Sequence, residues 1–145
     1  MRIDDKIRQI AAINVMIVID GVLRESSDEI IKLNQDQLYN EGVIDVTNPS
    51  RREYYAESTK KQKRRTAKFP KTDFITLKWR GVFHDTFQLY ILPETIEIRS
   101  PHIIWGLYLQ ENERFTNALG LTNDSLEILR DNLRDKFITA FRNEL

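Results

Sequence analysis

Residues 77–121 constrain the fold of this 145-residue chain more than any other stretch. Side chains alternate with period two from Phe87 to Leu92, stop at Pro93-Glu94, and alternate again from Thr95 to Arg99. Alternation on both sides of a short turn predicts an antiparallel β-hairpin. The Asn-Gly pair of the tightest hairpins is absent, which leaves the loop type open. Ser100-Pro101-His102 is expected to end the second strand.

The segment before the hairpin predicts a third strand. From Asp73 to Trp79 the residues again alternate, with Trp79 expected in the core, and Gly81 marks a turn or bulge. After the hairpin, Gly106 is expected to break any regular element that begins with Ile103, Ile104, Trp105 and Leu107. Residues 110–118 are expected to form a short helix.

The N-terminal segment has helical periodicity, with isoleucines spaced by three or four at Ile3, Ile7, Ile10, Ile13 and Ile17. Its density of β-branched residues is also typical of a buried strand, but we favour the helix because no Gly or Pro interrupts it before Gly21. Ser26 and Glu29 fit a capping box, and Gly42 is the expected stop. The pattern leaves open whether residues 3–41 form one bent helix or two.

The C-terminal segment predicts an amphipathic helix. Thr122 is the expected N-cap and Asp124 lies in the favourable first turn. One face carries Leu126, Leu129, Leu133, Phe137 and Ala140, widened by Ile138 and Phe141. The fold class expected is therefore α+β, with N-terminal helices, a small antiparallel sheet containing a hairpin, and a C-terminal helix packed on the sheet. Residues 1–145 are expected to form a single domain.

The chain has no net charge, but the charge is unevenly distributed. Residues 51–71 hold nine Lys and Arg against Glu53 and Glu57, a balance of +7, so the other 124 residues carry −7. Asn48-Pro49 predicts a helix start, and residues 50–65 predict a basic helix or an extended arm that Pro70 closes. Such a polar helix gains little by burial, so we expect an arm at about residues 43–72 that a partner orders.

Three interpretations of this basic arm stay open: a solvated surface, a protein contact, or a nucleic-acid contact. Cations on one arm favour a salt-sensitive phosphate contact, and two tyrosines offer rings on which bases can stack. Trp105 is expected near the sheet exit as either a core or an interface anchor. The predicted interface residues are Tyr54, Tyr55, Lys60, Lys61, Arg64, Arg65 and Trp105.

No catalytic, metal or cofactor motif appears in the sequence. Cysteine is absent, which excludes disulfides and thiolate chemistry, and the five glycines occur singly, so none forms a phosphate-binding loop. His84 and His102 could supply two ligands to a metal ion, but a metal site needs a third. We therefore interpret them as surface or packing histidines. The apolar run at residues 11–19 is too short to span a bilayer. We therefore expect a non-enzymatic protein that is soluble in the cytoplasm where it is made.

Three segments of the second half carry a resemblance to a known family. Residues 77–85, LKWRGVFHD, resemble the turn that opens the hairpin in head–tail joining and tail-completion proteins of tailed bacteriophages. Residues 100–106, SPHIIWG, resemble the segment where the chain leaves the sheet in those proteins. Residues 117–122, NALGLT, followed by Ser125-Leu126, are similar to the start of the final helix in structural proteins of Bacteroidales (crAss-like) phages and prophages.

The resemblance covers roughly residues 50–145 and implies a structural component of the virion. It implies a homo-oligomeric ring in the neck or tail, around the channel through which DNA passes, with portal, neck or tail proteins as neighbours. It implies no catalytic residues and no cofactor. The basic segment at residues 51–71 is more cationic than this family leads one to expect, so its target is either DNA or an acidic neighbouring subunit.

Overall fold

Helices form the N-terminal part of the chain. The computed structural model describes residues 2–12, 15–103, 105, 109, 112 and 114–144. Helix α1 is Ile3–Ala12, α2 is Val15–Glu25 and α3 is Ser27–Asp36, followed by a π-helical turn at Gln37–Glu41. The preference for helix over strand is confirmed, and α2 and α3 are separate helices. The predictions at Ile13, Ile104, Gly106 and Leu107 lie outside the described residues.

Of the two predicted end signals around α3, the stop at Gly42 is confirmed and the capping box at Ser26 is not. Ser26 precedes the helix, but its side chain makes no capping hydrogen bond, so the capping box was wrong. Its Oγ instead accepts a hydrogen bond from Lys136 Nζ at 3.3 Å, which ties α3 to the C-terminal helix. Gly42 ends the π-helical turn with φ 68°, as predicted. A Cβ there would lie 2.5 Å from the Phe74 ring, so both the positive φ and the close contact with Phe74 require glycine.

The basic segment starts its helix later than predicted. Residues 51–56 have no regular structure, and α4 is Glu57–Thr66 with Ala56 at its N-cap, so the start at Asn48-Pro49 was wrong. Arg51 explains the delay, because its guanidinium bonds Asp45, Glu53 and the carbonyl of Arg114. These bonds hold the chain extended, and the Glu53 carbonyl accepts from Ile75 N at 2.7 Å.

The strand predicted at residues 73–79 was also wrong. Leu77 has φ 56°, the left-handed region, which breaks any extended run at this point. Thr76 Oγ1 accepts from Lys78 N at 3.2 Å, so a side chain takes the place of a neighbouring strand. Gly81, with φ 90°, makes the predicted turn and leads into the short helix α5, Val82–Asp85.

The predicted hairpin is confirmed. Strand β1 is Gln88–Ile91, β2 is Ile96–Arg99, and they pair antiparallel with Leu89 opposite Ile98 and Ile91 opposite Ile96. Leu92 N donates to Thr95 O at 2.8 Å across the turn. The apolar partners share one face because side chains alternate along a strand. These two strands are the whole sheet of the described chain.

The C-terminal helix α6, Asn123–Asn143, packs along α2 and against the sheet region. Thr122 is its N-cap as predicted, with Oγ1 accepting from Ser125 N at 3.2 Å. The buried face is narrower than predicted, because Leu126 and Ile138 are 39% and 42% exposed. The core cluster comprises Ile30, Leu38, Ile44, Ile75, Phe83, Phe87, Ile98, Trp105, Phe115, Ala118, Leu129 and Leu133. The fold is α+β, as predicted.

Two buried amides connect α3 to the start of α6. Asn34 donates to Ala118 O at 3.2 Å and accepts from Gly120 N at 3.0 Å. Gln37 donates to Gly120 O and accepts from Thr122 N, both at 3.0 Å. One turn of helix thus satisfies the backbone of the loop that leads into α6. None of the described helices combines the length and the apolar composition that a membrane crossing requires.

The first prediction concerns Asn34. Asn34→Ala leaves the buried Ala118 O and the part-buried Gly120 N without their hydrogen-bond partner, and we expect it to lower the free energy of unfolding by about 1–3 kcal/mol. Urea denaturation measures this. Asn132→Ala is the matched control, because Asn132 bonds Glu29 on an exposed surface and its loss is expected to cost under about 0.5 kcal/mol. Equal losses of stability in the two variants would contradict a stabilising role for the Asn34 hydrogen bonds.

Candidate protein and nucleic-acid interface

A buried lysine anchors the basic helix α4 to the body of the protein. Lys63 is 0% exposed, although it lies in the middle of a cationic run. Its Nζ donates to Lys71 O at 2.6 Å, lies 3.4 Å from Thr76 Oγ1, and sits 5.0 Å from the centre of the Tyr55 ring. Burial, with a smaller effect of the charge on Lys71, lowers the pKa of Lys63 to about 8. The predicted arm is therefore held by its own chain.

Thr76 is the centre of this buried network. Besides Lys63, its hydroxyl lies 3.5 Å from Tyr55 Oη, and its N–H donates to that same oxygen at 3.2 Å. Its carbonyl lies 2.8 Å from His84 Nε2. Thr76 itself is 0% exposed. One residue thus connects α4, the irregular segment before Gly81, and α5.

His84 is buried in its neutral form. Its ring is 1% exposed and stacks on Phe87 with centroids 5.2 Å apart. Because Nε2 faces a carbonyl, Nε2 carries the proton, and Nδ1 has no hydrogen-bond partner among the described residues. Burial lowers the pKa of His84 to about 4, against an opposing effect of the Thr76 hydrogen bond. The interpretation of His84 as a packing histidine agrees with this placement.

The outward side of α4 carries the residues predicted for an interface. Lys61, Arg64 and Arg65 are exposed, and none forms an ion pair with a described carboxylate. Lys60 is occupied, with Nζ 3.1 Å from Glu57 Oε1. Tyr54 is 63% exposed just before the helix. Exposed cations beside an exposed ring can meet either a carboxylate surface or a phosphate backbone.

Two predicted interface residues lie on the inner side. Tyr55 is half-buried because its hydroxyl bonds Thr76. Trp105 is 8% exposed and stacks on Phe83 with centroids 5.9 Å apart, so it is a core residue of this chain. The structure thus separates the predicted set into the exposed Tyr54, Lys61, Arg64 and Arg65 and the inward-facing Tyr55 and Trp105.

Further lysines lie beside α4 over aromatic rings. Lys71 Nζ is 4.6 Å from the centre of the Phe74 ring, and Lys78 Nζ is 4.1 Å from that of Phe69. Tyr39 is 5.3 Å from the first ammonium and 4.9 Å from the second. Neither lysine has an ion-pair partner in the described chain, so this surface adds positive charge that rings stabilise. Arg64 reaches the same segment through Thr72 Oγ1 at 3.2 Å.

Sequence reasoning missed the residues that hold the site in place. Lys63 gave no signal, since nothing distinguishes it from the cations on either side. Asn34 did give one, because it lies four residues after Ile30 and four before Leu38, on the stripe that faces the core. Within the described ranges, no group of three or more His, Asp or Glu is arranged to hold a metal ion.

No protein-family model, curated protein or solved structure matches this chain.

The second prediction concerns Thr76. Thr76→Val keeps the shape but removes the hydroxyl shared by Tyr55, Lys63 and Lys78 N, and we expect a loss of about 1–3 kcal/mol in the free energy of unfolding. Thr72→Val is the matched control, since it removes one bond to an exposed arginine. Limited trypsin digestion is expected to cut α4 faster in Thr76→Val alone. Unchanged stability and cleavage would count against Thr76 as the anchor.

The third prediction is a pH dependence. The pKa of His84 is about 4 in the folded chain and 6.5 in the unfolded chain, so the unfolded chain binds the proton more tightly between these values. The contribution of His84 to the free energy of unfolding is fully present above pH 6.5 and falls by about 3 kcal/mol as the pH drops to 4. Urea midpoints of the wild type and His84→Gln, measured from pH 4 to pH 7, test this. The midpoint of the variant is expected to change less with pH. His102→Gln, which leaves His84 in place, is the control; equal slopes for wild type and His84→Gln would refute the prediction.

Proposed function

We propose that this protein is a non-enzymatic structural component of a tailed-phage virion, assembling as a ring that joins head to tail around the DNA channel. The resemblance of residues 77–85, 100–106 and 117–122 to neck and tail-completion proteins supports the virion role. The partners proposed are further copies of the chain and the portal, neck or tail proteins on either side.

One observation carries the assembly role: the N-terminal helices expose large apolar side chains. Ile3 is 79% and Ile7 58% exposed on α1, and both lie on one face because they are four residues apart. On α2, Met16 is 54% and Ile17 68% exposed. Large apolar side chains exposed on two successive helices are a surface that a contact with another chain would cover. Burial of these side chains in an assembly is worth about 1.5–3 kcal/mol each.

The fourth prediction tests assembly. Native mass spectrometry of the purified chain is expected to show a closed oligomer, and Ile3→Ser with Ile7→Ser is expected to reduce it to monomer by removing the apolar contact. Val82→Ser, at an apolar residue outside α1 whose 55% exposure is close to the 58% of Ile7, is the control and is expected to assemble normally. A monomeric wild type would refute the ring.

The virion role has its own test. Gold-labelled antibody against the chain is expected to mark the head–tail junction of particles from cells that carry this sequence. Absence of the chain from purified particles would refute the virion role even if the isolated protein formed a ring.

A second function, nucleic-acid binding, is favoured by the unpaired cations. No described carboxylate forms an ion pair with Lys61, Arg64, Arg65, Lys71 or Lys78, and Arg64 bonds Thr72, the neighbour of Lys71 in sequence. Neutralising phosphates with such a surface releases counterions, so the affinity falls steeply with salt.

The fifth prediction separates this function from assembly. If the basic surface binds DNA, the triple substitution of Lys61, Arg64 and Arg65 to Gln reduces the slope of log affinity against log salt by about 2–3. Fluorescence anisotropy with a duplex of mixed sequence measures it, with the triple substitution of Arg80, Arg99 and Arg130 to Gln as control. An affinity that does not respond to salt would exclude the phosphate contact.

A further inference from the structure

The groove between α2 and α6 is an apolar surface bordered by negative charge. It has a volume of about 540 Å³. Its apolar floor comprises Val18, Val22, Ala140 and the 68% exposed Ile17, while Thr139 and Asn143 add polar side chains to the lining. Gly21 lies open, with no atom within 4 Å of where a Cβ would be. Small residues at this position allow a helix to approach closely.

Three carboxylates line the same groove. Glu25 lies at the end of α2, Asp135 lies within α6, and Glu144 follows its last turn. None of the three forms an ion pair or a side-chain hydrogen bond with another described residue, whereas Lys136 is already engaged by Glu29 at 3.6 Å and by Ser26. The groove therefore carries uncompensated negative charge above an apolar floor.

The outer face of α4 has the complementary character. Lys61, Arg64 and Arg65 lie within one turn of each other on one side of the helix, opposite the buried Lys63. Their long aliphatic stems can cover an apolar floor while their charged ends reach the rim. Lys61 and Arg65 are about 6 Å apart along α4, and Asp135 and Glu144 are about 13.5 Å apart along α6, so the long cationic side chains would spread to reach both carboxylates.

Contacts within the molecule hold α4 at its own site. Lys63 is fixed beneath α4 by Lys71 O and Thr76, which holds the cations outward at their own site. We propose that α4 of one copy docks in the α2–α6 groove of a second copy, with its cations facing Glu25, Asp135 and Glu144. The two faces differ, so the contact is heterologous and repeats around a closed ring if the rotation between subunits closes. This inference rests on the proposed assembly role and adds a charged contact to the apolar contact proposed for the N-terminal helices.

Charge reversal of each face tests the docking. Arg64→Glu with Arg65→Glu, and separately Asp135→Lys with Glu144→Lys, are each expected to weaken assembly at least tenfold, measured by sedimentation velocity. All four positions are exposed, so the variants are expected to fold, and circular dichroism checks this. Arg80→Glu and Glu127→Lys, exposed and outside both faces, are the controls and are expected to assemble as the wild type does.

Rescue distinguishes the contact from a general charge effect. A chain carrying all four reversals regains complementary faces and is expected to recover assembly, as is a mixture of the two double variants. Reversed variants that assemble like the wild type would overturn the docking and leave the ring proposal standing. A monomeric wild type would overturn both the docking and the ring, while the labelling of particles still decides the virion role. If the Arg64→Glu, Arg65→Glu variant loses DNA binding but assembles as the wild type does, the α4 cations contact nucleic acid and the docking is overturned.

Discussion

The rest of the site depends on how the buried polar groups around Thr76 are satisfied. An ammonium, a phenol, an imidazole and backbone groups of its own segment all meet at this residue, and no carboxylate of the described chain takes part in the hydrogen bonds. A buried polar group without a partner costs more than the hydrogen bond would have contributed, so the groups hold each other in one arrangement. That arrangement fixes which side of α4 faces outward.

The same logic operates at the other end of the core. Asn34 and Gln37 satisfy the backbone between Ala118 and Thr122, and so set where α6 begins and how it lies along α2. The sheet is too small to organise the fold alone, since a two-stranded hairpin is marginal in water. Side-chain-to-backbone bonds therefore do the positioning that a larger sheet would provide. One consequence is that charge and apolar surface are left outside, on α4 and on the N-terminal helices.

Local patterns were sufficient where the local signal and the tertiary environment agree. The hairpin follows from alternation on either side of Pro93-Glu94, and α6 follows from its apolar stripe and the Thr122 cap. The segment at residues 73–79 has equally clear alternation, but no strand of the described residues lies beside it. The Thr76 hydroxyl accepts from Lys78 N instead, and Leu77 adopts a left-handed conformation. Ser26 has the right spacing for a capping box, but Lys136, 110 residues away, engages its hydroxyl instead.

The sequence by itself determined the α+β class, the hairpin, the C-terminal helix and the concentration of positive charge at residues 51–71. Each of these depends on residues close together in the sequence: on the spacing of apolar residues, on a capping residue or on local composition. Only the tertiary structure decided that Lys63 is buried while Lys61, Arg64 and Arg65 are exposed, and that Trp105 lies in the core. Cations in one run are chemically alike, and what separates them is contact with Lys71 and Thr76, whose position in space depends on the whole fold.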